Sequence, residues 1–121
     1  MIRSSKKARQ RRSVVIKLDA LARQRCFDRD SDEFGPNCVR CRKNRAVQWA
    51  HMISRRHLCV RWELDNCLSL CAGCHMWYDG YPLLSGDWFK KNFPDRAENI
   101  LTLYNRGGKV DLAAKLDELS A

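Results

Sequence analysis

Long apolar runs are missing from this chain. No stretch approaches the roughly 18 consecutive apolar residues that a membrane span requires, so no membrane role is expected. The basic opening MIRSSKKARQRR lacks the apolar segment of a secretory signal. Seven cysteines, an odd number, then argue against a disulfide framework. The expected setting is reducing and cytoplasmic, where paired cysteines more often hold metal. Internal repeats and low-complexity linkers are also lacking, so 121 residues read as one α+β domain with a modest core that gains from a staple. Acid is scarce where base is dense. Residues 34–62 carry seven Arg/Lys and no acid, and residues 1–25 carry nine against Asp19 alone. Acids outnumber bases in residues 26–33 and 63–121, and the chain nets +9. Two cationic segments suit a polyanionic partner, nucleic acid above all. A solubilising tail and a solvated loop would have the same composition.

What is present divides the chain into three parts. Residues 1–37 read as a basic arm over 1–12, mobile when free, and a helix from Ser13 to about Cys26. Ser13 is the expected N-cap, with an apolar face of Val14, Leu18 and Leu21 flanked by Val15 and Ala22. Gly35-Pro36-Asn37 is a turn signal. Residues 38–80 hold a short strand within Ala46–Ile53, a second one around Leu58–Trp62, and a helix over 72–78 stopped by Gly80 and Pro82. Residues 81–121 are helical. Asp87 is the expected cap of a turn ended by Pro94, Asp95 with Glu98 reads as a capping box, and Gly107-Gly108 precedes a last amphipathic helix over Val110–Leu119.

Two C-x-x-C pairs, Cys38/Cys41 and Cys71/Cys74, stand 29 residues apart. Zinc takes four N or S ligands in a tetrahedron, and thiolates two residues apart fit one knuckle. Four thiolates leave no open position, so the expected Zn2+ is structural. Cys26, Cys59 and Cys67 lack the spacing and read as reduced, packed thiols. Substitution of a knuckle cysteine by Cys59 or Cys67, or of Cys74 by His75, is the alternative ligand set. Closing the site would fold the intervening loop back and bring His51, Asn66 and His75 into one space.

The order His51, Asn66, His75, with the last fused to a C-x-x-C, resembles the HNH nucleases of ββα-metal fold over about residues 38–80. More narrowly, AHMISRRHLCVRW and DNCLSLCAGCH are similar to the phage NinG/Rap recombination proteins, which cut branched DNA. The helix followed by Arg29-Asp30 and the first knuckle looks like that group too. The resemblance implies His51 as general base, His75 as a ligand of a catalytic Mg2+ or Mn2+, and Asn66 as a tie for the loop or a touch on the metal. Position 50, often a metal ligand in HNH nucleases, is Ala50 here, though a small residue occurs there in the phage group. Asp79, four residues after His75 on a helix, is the candidate replacement ligand. His75 stands where NinG-like proteins often have Asn.

The expected function is a metal-dependent DNA endonuclease acting in phage recombination or DNA processing. Arg55, Arg56 and Arg61 would grip flanking phosphates, and Lys6, Lys7, Arg9, Arg11 and Arg12 of the arm would add to them. His57 is either a second base or another phosphate contact. A homodimer would suit a symmetric four-way junction. The rivals are a zinc-stabilised DNA-binding module without catalysis and a nuclease directed at RNA.

Overall fold

Residues 5–121 are described by the computed structural model. Helix α1 (Lys6–Arg29) opens the described chain and starts earlier than its apolar face suggests. Ser5, not Ser13, is the N-cap: its Oγ accepts the Ala8 N–H at 3.1 Å. Residues 6–12 are Lys, Arg, Ala and Gln, all good helix formers, with no Gly or Pro to stop them. The expected arm is therefore the first two turns of a helix from residue 6 onward, and residues 1–4 lie outside the described part. The buried stripe of α1 is Leu18, Ala22 and Cys26, one residue per turn.

After a two-residue hairpin, β1 (Ser31–Asp32) with β2 (Gly35–Pro36), comes the first knuckle and then β3 (Gln48–His51). Its antiparallel partner is β4 (Cys67–Leu70), in register Trp49 to Ser69, Ala50 to Leu68 and His51 to Cys67. The strand expected at Leu58–Trp62 is instead helix α2 (Leu58–Arg61). Val60 and Trp62 do point inward, being 0% and 2% exposed. The place beside β3 is taken by Cys67–Leu70, a fully buried run in which only Ser69 is polar. A 3-10 turn, Leu64–Asn66, joins α2 to β4.

Helices α3 (Ala72–Gly80), α4 (Pro82–Asn92), α5 (Pro94–Arg106) and α6 (Leu112–Ser120) complete the chain. Pro82 and Pro94 each sit in a first helical turn, where a missing N–H costs nothing. The caps expected from Asp87 and Asp95 are thus not used: Asp87 lies inside α4, and α5 begins at Pro94 with Phe93 as its N-cap. Gly107 closes α5 at φ 60, and Asp111 caps α6 by accepting the Ala114 N–H at 3.1 Å.

The hairpin β3/β4 is a wall between two cores. On one side Ala50, Leu68 and Leu70 pack with Tyr78, Phe89, Ala97 and the cysteine cluster. On the other, Trp49 packs with Leu18, Ala22, Trp62 and Leu119, which join α1 to α6. Alternate residues of a strand face opposite sides, so neighbours Trp49 and Ala50 serve different cores. Polar ties fix α1 to the hairpin. Arg29 donates to the Leu64 and Cys67 carbonyls at 2.7 Å each, and Cys26 Sγ lies 3.4 Å from Ser69 Oγ. Cys26, Cys59 and Cys67 are free thiols.

Candidate functional site

The first knuckle is held against β4 by backbone bonds from Val39 N–H to the Ser69 carbonyl and from Val47 N–H to the Leu70 carbonyl, each 3.0 Å. The second knuckle is the start of α3, with Cys71 as N-cap. This docking brings Cys38, Cys41, Cys71 and Cys74 together, with all four sulfurs within 4.8 Å of one another. Thiolates about 2.3 Å from a zinc ion stand about 3.8 Å apart in a tetrahedron, so the cluster has the size to hold a structural metal such as zinc.

The surroundings favour thiolates. Cys71 Sγ accepts the Cys74 N–H at 3.5 Å and faces the Asn44 amide at 3.8 Å, and that backbone N–H leads the causes that lower its pKa. Backbone N–H groups of Asn44 and Lys43 pull Cys41 down to about 6. Burial, then the neighbouring sulfurs, pushes Cys74 up to about 12. A divalent cation among the sulfurs would offset both the burial and the crowding that hold the Cys74 thiolate back. Arg40 donates to Cys74 Sγ at 3.4 Å while its guanidinium lies 3.6 Å over the Trp77 ring.

Beside this cluster, across α3, a cleft of about 520 Å3 is lined by His51, Arg55, His75 and Asp79. His51 ends β3, and His75 and Asp79 lie one turn apart on α3. His51 Nε2 is 3.0 Å from the Arg61 carbonyl. A carbonyl only accepts, so Nε2 carries the proton and Nδ1 keeps its lone pair. Burial, assisted by the Arg55 and Arg61 charges and opposed by that carbonyl, pushes the His51 pKa down to about 4. His75 Nδ1 faces the Gln48 amide oxygen. Its Nε2 lies 3.2 Å from Asp79 Oδ2, an acceptor too, so a proton or a cation must sit between those two atoms.

Asn66 does not line the cleft. It is fully buried beneath the loop and makes three hydrogen bonds there. Its Nδ2 donates to the Ile53 and Val60 carbonyls at 3.0 Å each, and its Oδ1 accepts the Ile53 N–H at 2.8 Å. Ala50 is 1% exposed and packed in the core, so no ligand comes from position 50. Arg61 has its guanidinium on Asp19, at 3.0 and 2.7 Å, and it is its carbonyl that faces the site. Arg55 and Arg56 are exposed, as are Lys6, Lys7, Arg9, Arg11 and Arg12 on α1, and His57 sits edge-on to Tyr104.

Two residues of the site carry no signal in sequence. Asp19 takes Arg61 and the Trp62 indole N–H, the latter at 2.8 Å, and so sets the segment whose carbonyl orients His51. Gln48 fixes His75. Each meets its partner only through tertiary packing, 42 and 27 residues away; its place as the one acid among the nine bases of residues 1–25 is the one hint of Asp19. No protein-family model, no curated protein and no solved structure matches the chain.

Proposed function

We propose that the chain is a metal-dependent endonuclease of the HNH type that hydrolyses DNA phosphodiester bonds. The observation that carries this reading is the cleft itself: His51, with Nε2 bound to a carbonyl, lines one space with a second histidine, a carboxylate and Arg55. The run β3, loop, β4, α3 also has the strand–strand–helix order of a ββα-metal core.

The donor pair fits a hard divalent cation. His75 Nε2 and Asp79 Oδ2 are 3.2 Å apart, close to the roughly 3 Å between adjacent corners of an octahedron with bonds of about 2.1 Å. The remaining positions would fall to phosphate oxygens and water. When bound there, Mg2+ or Mn2+ would polarise the phosphate and lower the charge on the leaving 3′-oxygen. His51 Nδ1 takes a proton from the attacking water as its oxygen bonds to phosphorus and the bond to the 3′-oxygen breaks. The Arg61 carbonyl keeps its hydrogen bond from Nε2–H throughout and steadies the imidazolium that forms. Arg55 adds positive charge at the rim. Asn66 acts indirectly, by fixing the loop that carries Arg55.

The second reading, a zinc-stabilised DNA-binding module without catalysis, draws on the buried Ala50. Plasmid incubated with Mg2+ or Mn2+ separates the two. The nuclease reading expects nicking or linearisation by the wild type and a loss of about 100-fold or more in His51→Ala, with DNA binding retained. Binding without cleavage under any divalent ion gives the module. A panel of linear, nicked, flapped and four-way DNA, with a matched RNA, reads out substrate preference, branched recombination DNA being the one expected from the resemblance.

A further inference from the structure

A second cleft, of about 540 Å3, opens on the far side of the Ser54–His57 loop. Its charged lining comes from three separate elements: Arg11 on α1, Arg56 on the loop and Lys109 on the α5–α6 connection, with His57 beside them. No carboxylate lines it. Among the described residues no carboxylate lies within 4.0 Å of the Arg11, Arg56 or Lys109 head group. Arg61 differs, being held by Asp19 at 2.7 Å. Three exposed cations converging without counter-charge repel one another, and an anion among them relieves that repulsion. Leu58 and Val110 supply half-buried apolar walls beside the cations. Gly108 adds no side chain, with φ 94 and nothing within 4 Å of a would-be Cβ.

We infer that this second cleft is a backbone-phosphate subsite for the DNA strand, separate from the hydrolytic cleft. Consecutive residues Arg55 and Arg56 line different clefts, so the loop is a ridge with an arginine on each flank. A strand cut in the first cleft is gripped in the second, away from the scissile bond. The inference rests on the endonuclease reading for the identity of the strand, but its binding chemistry does not need cleavage.

The test uses the full, zinc-loaded chain and a labelled duplex, with anisotropy measured from about 50 to 300 mM KCl in Ca2+. Arg56→Gln/Lys109→Gln is compared with Lys90→Gln/Lys91→Gln, which removes the same charge from exposed positions on α4. Removing one phosphate-bound cation should flatten the slope of log K against log salt by about 0.9. The cleft variant should therefore flatten the slope by nearly two and bind about tenfold more weakly at low salt, and the α4 variant should change much less. Equal changes in both variants, or an unaltered slope in the first, overturn the subsite. Circular dichroism and zinc content equal to wild type exclude unfolding as the cause. If the wild type does not cut plasmid under any divalent ion while the slope still falls, the endonuclease reading fails and the subsite stands. If cleavage occurs and the slope is unmoved, the subsite falls alone. Binding of single-stranded RNA with the same slope change would reassign the strand and not the site.

Discussion

His51 is held neutral by its neighbours, with the ring proton on Nε2. Its pKa, lowered from 6.5 to about 4 chiefly by burial, makes it neutral at about pH 7. The same shift sets a pH dependence of stability. Above pH 6.5 neither folded nor unfolded His51 binds a proton, and nothing is lost. As pH falls from 6.5 toward 4 the unfolded chain takes up the proton and the folded chain does not, so stability drops, by about 2–3 kcal/mol at the lower end. His51→Ala should therefore lose less of its thermal midpoint between about pH 7.5 and 5 than the wild type, zinc loss at acid pH being common to both. Parallel curves would show that the ring is not desolvated as described. Asn66 makes a sharper case. Removing it strands the Ile53 N–H and two carbonyls beneath the loop, and Asn66→Ala should cost about 2–4 kcal/mol in urea unfolding. Asn66→Asp should rescue little, because a carboxylate offers nothing to the Ile53 and Val60 carbonyls. Both histidines and Asn66 stand out in sequence by chemistry and order. Gln48 and Asp19 do not, because an amide or carboxylate acquires its role only when a distant partner folds against it.

Elements are legible where the pattern is local. The apolar face of α1, the strand ending at His51, the helix opening at Cys71 and the stop at Gly107 all follow from spacing and turn chemistry. The second strand does not, because Val60 and Trp62 bury at i and i+2 in a helical turn as they would in a strand, and Leu68 and Leu70 carry the same alternation in the true one. Pro82 and Pro94 read as stops yet start helices, since Pro is equally suited to end one helix and begin the next. The first knuckle carries a further, testable detail. Arg42, with its N–H on the Cys38 carbonyl at 3.0 Å, has φ 54. A side chain at positive φ costs about 1 kcal/mol, which glycine avoids. Arg42→Gly should raise the thermal midpoint or leave it level at equal zinc content, whereas the β-branched Arg42→Val should cost about 1 kcal/mol or more. A fall with Arg42→Gly would mean that the arginine head group holds more than the backbone strain takes away.

For the whole molecule, the question is whether the cysteine cluster governs one core or both. Structural zinc contributes about 10–16 kcal/mol when it binds only the folded form, as much as or more than the roughly 5–15 kcal/mol by which a whole domain is stable. Loss of the ion should therefore undo the core built on Ala50, Leu68 and Phe89. The other core has no cysteine of the cluster, and α1 and α6 could in principle survive as a helical pair. They share a wall with the first, however: Trp49 projects from β3 toward Leu18 and Leu119, and Arg29 on α1 hydrogen-bonds the carbonyl of Cys67 on β4. If the hairpin melts, α1 loses both. A strong chelator should abolish the near-ultraviolet tryptophan signal and most far-ultraviolet helix signal in a single transition, with equal midpoints, reversed by added Zn2+. Cys38→Ser should behave as the chelated wild type does. Two separated transitions, the first leaving most of the helix signal, would instead show that the α1–α6 core stands without the hairpin, and the cysteine cluster would then be a staple for the cleft alone.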